Sequence, residues 1–368
     1  MFVALRDLRH ARGRFVLMSV VIVLITFLVG FLAALTAGLA RGSTSAIADL
    51  SADHLAFATP EGADEGSAPT FTESQVDAAA WSAWGDEPGV EAADPLGVAQ
   101  ARATAGGTTA AVTAFGVAAG TTLMPDGVPA PDQGAVVLSE GAAEALGAAP
   151  GDAVQMGRLT LTVAPAPAVD AEYSHTPVVW VSLADWQAVG APGAADTGDA
   201  GQVATVVALT TEDGADLAAA DARIGTRTLT TPASLDAIGS FPAENTSLTM
   251  MQAFLFAISA LVVGAFFTVW TIQRSGDIAV LKALGATNRY LVRDALGQAA
   301  VVLVGGVGLG TALAAGSALL AGRVMPVVVD AATTLVPALV LTVLGLAGAA
   351  LAVWRITRID PHAALAAR

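Results

Sequence analysis

Four uninterrupted apolar stretches dominate the pattern of hydrophobic and polar positions along the chain. Residues 15–40, 245–273, 295–322 and 331–354 contain no Asp, Glu, Lys or Arg. Each stretch exceeds the roughly 20 helical residues that are needed to cross a hydrocarbon core about 30 Å thick. The pattern therefore predicts four transmembrane helices, at residues 15–40, 248–273, 295–322 and 331–354.

The first apolar stretch also has the small residues A-G-L-A at 37–40, which would suit cleavage of a signal peptide. However, the apolar region of a signal peptide is roughly 7–15 residues long, and this stretch is about twice that length. Three further spans follow it. We therefore expect the first stretch to be retained as a membrane anchor.

The polar region between the first two spans alternates between strand-like and helix-like patterns. It is interpreted as an α/β domain over residues 41–230, followed by a stalk at 231–247 that leads into the second span. The patterns predict two helices, one that runs from the N-cap Thr72 to Trp84 and one that is ended by Gly147. They predict strands at Ala135–Ser139, just before the second of these helices, and at Pro177–Leu183 and Gln202–Thr210. They also predict a hairpin with Leu159, Leu161 and Val163 on one face. The predicted fold class is membrane α-helical, with four transmembrane helices and a mixed α/β extracytoplasmic domain inserted between helices 1 and 2.

The basic residues predict the orientation of the chain in the membrane. Eleven of the 17 Lys and Arg residues are Arg293 and the ten in three segments, which are the amphipathic N-terminus 1–14, the loop 274–292 and the tail 355–368. Such residues near span ends are retained in the cytoplasm. We therefore expect a multi-pass protein of the bacterial plasma membrane, with both termini cytoplasmic and with a short external loop at 323–330.

Composition separates the two sides of the membrane further. The chain is 54% hydrophobic and 13% charged, with a formal net charge of −15. The region 42–243 carries 26 acidic residues against four arginines. A surface this acidic argues against nucleic acid as a partner, and the protein's non-protein partner is predicted to be membrane lipid.

The sequence offers little chemistry for catalysis or for a metal site. It contains no cysteine, its two external histidines (His54 and His175) have no acid at i+3 or i+4, and there is no G-x-S-x-G motif. Without a G-K-[ST] motif the chain cannot form a phosphate-binding loop, and the run G-G-V-G-L-G at 305–310 lies within a predicted span. We predict no catalytic residue, no metal site and no intrinsic cofactor. Gly306 and Gly310 instead suit close contact between helices.

Other small residues within the spans also favour close helix packing. Thr26, Gly30 and Gly38 lie in the first span, and Gly264 lies in the second. Such residues serve either a homodimer interface or packing within one chain. The sequence leaves both alternatives open.

The charged segment between the second and third spans carries an apolar stripe. Ile278, Leu281 and Leu284 are spaced at i, i+3 and i+6, Gly285 would end the helix, and Thr287 would cap the next one. The pattern predicts a short amphipathic helix at the cytoplasmic surface. By physical reasoning alone it could simply anchor the loop at the membrane interface.

Motifs at both ends of this region resemble those of the MacB/FtsX superfamily of ABC transporter permeases. The segment V-W-T-I-Q-R-S-G-D-I-A-V-L-K-A-L-G-A-T (269–287) is similar to that superfamily's signature, although Asp277 stands where Glu is usual. The basic N-terminus, the tail R-I-T-R-I-D-P-H-A-A-L (355–365) and the external segment 136–154 agree with it. No ATPase is fused to the chain, so the resemblance implies a separate motor subunit.

The resemblance assigns a role to the amphipathic helix. In that superfamily it is the coupling helix, which docks into a groove on the ATPase. The resemblance implies two ATPase copies that bind ATP and Mg, a permease homodimer, and mechanical transmission through the second span. The residues carried over as coupling to the ATPase are Arg274, Asp277, Ile278, Leu281, Lys282, Leu284 and Gly285.

The nature of the cargo is less defined. Because no ionisable side chain lies within a span, a hydrophobic or amphipathic cargo is favoured over an ion or a sugar. The N-terminal pattern resembles that of the haem-exporter permeases, so haem is a candidate cargo, with a candidate site at Glu244, Met250, Met251, Phe254 and Met325. The alternatives are plain packing of the Met and Phe residues, export of lipid, peptide or lipoprotein, and signalling to a cell-wall hydrolase without transport.

Overall fold

A computed structural model describes residues 12–59, 68–190, 202–273, 276, 280 and 285–357. The chain forms two compact units. The membrane unit comprises Met1–Leu39 and Thr246–Arg368, and the extramembrane unit comprises Ala40–Asn245. Helix α1, Arg12–Ala48, contributes residues to both units.

The extramembrane unit is a mixed α/β domain with twelve strands in its described part. Its elements after α1 are β1 (His54–Ala58), β2 (Val76–Asp77), α2 (Ala78–Gly85), β3 (Val90–Ala105), β4 (Thr108–Val117), β5 (Ala135–Leu138), α3 (Glu140–Leu146), β6 (Ala153–Met156), β7 (Leu159–Val163), β8 (Glu172–Tyr173), β9 (Thr176–Ser182), α4 (Leu183–Gly190), β10 (Val203–Ala204), β11 (Val206–Thr211), α5 (Leu217–Ile224), β12 (Thr226–Thr230) and α6 (Thr231–Ser234), before a 3₁₀ turn at Leu235–Ala237.

One large sheet organises this unit, and its longest strand, β3, takes part in three pairings. The strand order is β12-β1-β11-β3-β4-β9-β5-β7-β6, with β8 paired to β9. The last residues of β3 also pair with β6, in the register Ala103↔Met156 to Ala105↔Val154. The strands β3, β4, β9, β5, β7 and β6 therefore close on one another, while β11, β1 and β12 extend the sheet from the first half of β3.

Two apolar clusters form the core of the extramembrane unit. One contains Trp84, Trp186 and Leu161, all at most 2% exposed. The other contains Phe57, Phe71, Phe115 and Tyr173, whose rings meet edge to face at centroid distances of 5.0–6.0 Å. The second cluster also includes Ala46 and Ile47 from the end of α1, and Ala237, Ile238 and Phe241. Both flanking helices are thus packed into the domain core through these apolar residues.

Several local predictions are confirmed by capping and register. Ser139 caps α3 by accepting a hydrogen bond from the Ala142 N–H, and Gly147 ends it in the left-handed conformation, with φ of 61°. The β6–β7 hairpin forms, and Leu161 and Val163 are buried while the intervening threonines face outwards.

Two local predictions are wrong. The helix predicted from Thr72 begins at Ala78, with Asp77 as N-cap, because residues 70–74 form a turn in which the Ser74 hydroxyl binds the Thr205 carbonyl. The strand predicted at Gln202–Thr210 is divided into β10 and β11. Thr205 separates them, since its hydroxyl accepts a hydrogen bond from the Val98 N–H at 2.7 Å.

The membrane unit contains four long apolar helices. After α1 they are α7 (Phe241–Gln273), α8 (Asn288–Ala321) and α9 (Ala331–Thr357). By length and composition, the segments that could cross a membrane are Val16–Ala48, Phe241–Gln273, Val292–Ala321 and Ala331–Val353. In the described part of the chain, the exposed large apolar side chains lie in these helices or the segments that join them, and none lies in the extramembrane domain. Such surface requires lipid or protein cover.

Glycines set the closest helix contacts within the membrane unit. A Cβ added at Gly306 would lie 2.7 Å from Ile22 Cγ2, and one added at Gly310 would lie 2.6 Å from Thr26 Cβ. Gly30 faces Ala314 in the same interface. Helices α1 and α8 can pack this closely because these positions have no side chain, which confirms the contact role predicted for Gly306 and Gly310.

Two further glycines make intramolecular contacts. A Cβ added at Gly264 on α7 would lie 3.8 Å from the Cα of Gly348 on α9. A Cβ added at Gly38 would clash with the carbonyl group of Pro326, which lies in the loop between α8 and α9. In the same loop, the Val328 N–H donates a hydrogen bond to the Ala34 carbonyl of α1 at 3.0 Å. The small residues of the first two spans are therefore used for packing within one chain.

Candidate functional site

The residues predicted to contact an ATPase lie mostly outside the described residues. This applies to Arg274, Asp277, Ile278, Leu281, Lys282 and Leu284. Gly285 is described, and its φ of 96° is in the left-handed region that favours glycine. Two residues later Thr287 caps α8 by accepting a hydrogen bond from the Tyr290 N–H at 3.3 Å, as the sequence predicted. The coupling role of the residues from Arg274 to Gly285 stays a prediction.

The candidate cargo residues are mostly exposed apolar side chains. Met250, Met251 and Phe254 on α7 are 55%, 56% and 62% exposed, and Met325 in the loop after α8 is 42% exposed. The described residues leave about half of each of these side chains uncovered. These side chains are therefore available to lipid, to cargo or to another protein.

Glu244, the fifth candidate, lies in the first turn of α7 and in the extramembrane unit. Its Oε2 atom is 3.0 Å from Nε2 of His175, and the two side chains are 45% and 39% exposed. His175 belongs to the turn between β8 and β9. The sequence places no acid at i+3 or i+4 of His175, and folding brings it to Glu244, which is 69 positions away.

The β8–β9 hairpin is bound to the end of α1 by its backbone. The Ser174 N–H donates to the Ser43 carbonyl at 2.9 Å, and the His175 N–H donates to the Gly42 carbonyl at 3.0 Å. The Ser45 hydroxyl accepts from the Glu172 N–H at 2.9 Å. The hairpin therefore contacts α1 along one side and reaches the first turn of α7 at its tip.

Glu172 adds a second carboxylate near His175. Burial raises the pKa of Glu172, the negative charge of Asp170 raises it further, and His175 acts in the opposite direction. A Cβ added at Gly42 would lie 2.7 Å from Glu172 Oε2, so glycine at this position leaves room for the carboxylate. The signal that sequence reasoning missed was Glu172, three residues before His175.

The two external histidines, His54 and His175, do not share a metal site in the described residues. In the described ranges, no group of three or more His, Asp or Glu side chains is arranged to hold a metal ion. His54 instead has its Nδ1 atom 3.3 Å from the Thr211 hydroxyl.

Two family models together match most of the chain. Residues 15–227 match the model of the MacB-like periplasmic core domain, which covers more than half of the protein, and residues 233–361 match that of the FtsX-like permease C-terminal domain. The chain belongs to the MacB/FtsX family of permeases. Its architecture agrees with this membership, since a mixed α/β domain follows the first of four apolar helices.

Individual relatives of this MacB/FtsX permease cover smaller parts of it. The hemin transport system permease protein HrtB of Staphylococcus epidermidis is 32% identical over 145 residues, which are 38% of this chain and 40% of that protein. HrtB of Staphylococcus haemolyticus gives the same values. The matched segment thus spans less than half the length of these relatives.

Two solved structures resemble the extramembrane unit at low sequence identity. The periplasmic region of MacB from Actinobacillus actinomycetemcomitans is 9% identical, with a TM-score of 0.36, and the match covers 50% of this chain and 91% of that one. The extracellular domain of the noncanonic ABC-type transporter YknZ from Gram-positive bacteria is 16% identical, with a TM-score of 0.34, and the match covers 48% and 98% of the two chains.

Proposed function

We propose that this permease is the membrane subunit of an ATP-driven exporter that moves a hydrophobic or amphipathic cargo, with haem as the specific candidate. It is non-catalytic, and a separate ABC ATPase supplies the energy. Family membership supports the transport role. The absence of a phosphate-binding loop from the sequence supports a separate motor.

The energy of ATP enters through the segment between α7 and α8 in this proposal. The apolar stripe of Ile278, Leu281 and Leu284 would dock into the ATPase, and Arg274, Asp277 and Lys282 would fix its orientation. Helix α7 would carry the motion outwards, because it is a single helix from Phe241 to Gln273. This arrangement requires both termini to be cytoplasmic, and the distribution of basic residues supports that orientation.

The observation that carries the cargo proposal is the exposed surface of α7. Met250, Met251 and Phe254 present two thioethers and a phenyl ring on a helix whose span has no ionisable residue. A methionine thioether can ligate haem iron, a carboxylate is a ligand in non-haem iron sites, and apolar walls suit a porphyrin ring. The name of the staphylococcal relatives, hemin transport, agrees with this chemistry.

We further propose that two copies of the permease act together with two ATPases. Within the described membrane unit, glycines bring α1 close to α8 and α7 close to α9. The cleft next to Thr26 and Ser259 is narrow and apolar. Such close packing favours a path for a porphyrin-sized cargo along the boundary between two copies over a path between these helices.

Haemin titration of the purified full-length permease tests the cargo proposal. We expect a shifted Soret band with saturable binding. In the Met250→Leu and Met251→Leu double variant, which keeps the apolar surface and removes sulfur, binding should weaken by at least the roughly tenfold that loss of an outer partner of a metal ligand costs. Ile258→Ala is the matched control, because Ile258 is similarly exposed (57%) on the same helix and has no ligand atom. Saturable binding that is equal in all three proteins would refute the assigned site, and no binding by the wild type would refute haem as cargo.

A further inference from the structure

The turn between β8 and β9 has an unusual backbone for its sequence. Ser174 and His175 both have positive φ, 50° and 60°, and they are the two residues between the paired Tyr173 and Thr176. Positive φ at both central positions is the pattern of a type I′ turn, which normally carries Asn-Gly or Gly-Gly. Non-glycine residues adopt this conformation at an energetic cost, and they keep it where the surrounding structure holds them there.

The surrounding contacts hold both turn residues. The backbone N–H groups of Ser174 and His175 bond to carbonyls of α1, and Tyr173, immediately before them, is 5% exposed in the core. Neither the main chain of His175 nor its neighbours can therefore shift freely. The backbone from which the imidazole extends is therefore held in place, and the ring reaches the first turn of α7.

The geometry at Glu244 assigns the donor. A carboxylate only accepts hydrogen bonds, so Nε2 of His175 carries the proton that lies between Nε2 and Oε2 at 3.0 Å. The Ser240 hydroxyl also donates a hydrogen bond to this carboxylate, and together with the bond from His175 it lowers the pKa of Glu244. Two partners therefore restrict the rotation of the group, while 45% of the Glu244 side chain stays exposed.

We propose that His175 is a positioning residue for Glu244, which orients the carboxylate towards the iron of the cargo. This inference rests on the proposed function, and it adds a residue from a different part of the fold to the candidate site. Ligating carboxylates in metal sites are hydrogen-bonded by outer partners, and loss of such a partner typically reduces metal affinity 10- to 100-fold. Glu172 lies on the same hairpin as a second negative charge near His175, so the imidazole keeps a favourable neighbour when Glu244 binds the cargo.

The arrangement also accounts for the strained turn. A two-residue turn with Asn-Gly would form the hairpin at lower cost, but it would place no donor at Glu244. Ser174 and His175 adopt the unfavourable positive φ, and His175 thereby supplies an imidazole at a fixed position. The hydrogen bonds from the turn to Gly42 and Ser43 keep that position defined.

Haemin titration of full-length variants tests this role. We expect His175→Ala to weaken haemin binding about tenfold and to change the Soret maximum of the bound form, because the carboxylate is no longer held. His175→Gln should restore most of the affinity, since its amide nitrogen can take the place of Nε2–H. His54→Ala is the matched control, because that histidine lies in the same unit and contacts Thr211 instead of Glu244. It should bind as the wild type does.

A double-mutant cycle separates positioning from a purely structural effect. In the Glu244→Ala background, removal of His175 should cause no further loss, because a positioning residue acts only through its partner. The inference is overturned if His175→Ala equals His54→Ala, or if its effect persists without Glu244. If wild-type permease gives no Soret shift, the proposed cargo is wrong and this inference falls with it. Binding by the wild type with no effect of His175 refutes the inference alone.

Discussion

Replacement of Gly310 by alanine should loosen the contact between α1 and α8. The new Cβ would lie 2.6 Å from Thr26 Cβ and 2.7 Å from the Val23 carbonyl oxygen, about 0.8 Å inside the 3.4 Å at which ordinary contact begins. Overpacking of this kind costs about 1–3 kcal/mol. Alanine in a helix interior recovers roughly 0.5–1 kcal/mol relative to glycine. We expect the free energy of unfolding to fall by about 1–2 kcal/mol.

Gly308→Ala is the matched control for this substitution. Gly308 lies two residues earlier on the same helix, and a Cβ added there meets no atom within 4 Å. Unfolding of the detergent-solubilised permease by SDS, followed by circular dichroism, should show no loss for Gly308→Ala and a clear loss for Gly310→Ala. Adding Thr26→Gly to Gly310→Ala should recover only part of the loss, since the Val23 carbonyl remains. Equal stability of the two alanine variants would refute the close α1–α8 contact.

Two further predictions concern the half-buried carboxylate of Glu172 and the coupling segment. Burial raises the folded-state pKa of Glu172 above its ordinary value of 4.5, so its contribution to stability is present below that value and is lost as pH rises through the folded pKa. Glu172→Gln should therefore raise the melting temperature at neutral pH and have little effect in acid, whereas a lower melting temperature at neutral pH would show that attraction to His175 outweighs burial. Leu281→Asp should abolish stimulation of the partner ATPase without loss of membrane insertion, and Ala283→Asp, about 200° around the predicted helix, should be tolerated. Unchanged stimulation in the Leu281 variant would exclude the coupling role.

Long, locally determined features could be predicted from the sequence. The four apolar stretches are visible because a helix in lipid must be apolar over about 20 residues, whatever it packs against. The helix end at Gly147 and the cap at Thr287 are visible because the donor and acceptor groups are within a few residues of one another. These features depend little on the rest of the fold.

Features that depend on distant residues were missed or misplaced. The helix start at Ala78 instead of Thr72 depends on Ser74 binding the Thr205 carbonyl, 131 positions away. The pairing of His175 with Glu244 likewise joins two segments whose proximity follows from the sheet. The turn that carries His175 gave no signal, because Ser-His has none of the glycine or asparagine that usually marks a type I′ turn.

The strand pairing of the extramembrane unit has a consequence for biogenesis. Strand β1 follows the first helix directly, yet its register partners, such as Leu209 and Leu229, are synthesised far later. The core also needs Ile47 and Ile238, which pack in one cluster but lie at opposite ends of the domain's sequence. The nascent domain cannot complete its core until Ile238, just before α7, has been synthesised. Until then the early strands have unpaired edges, which are open to pairing with other chains.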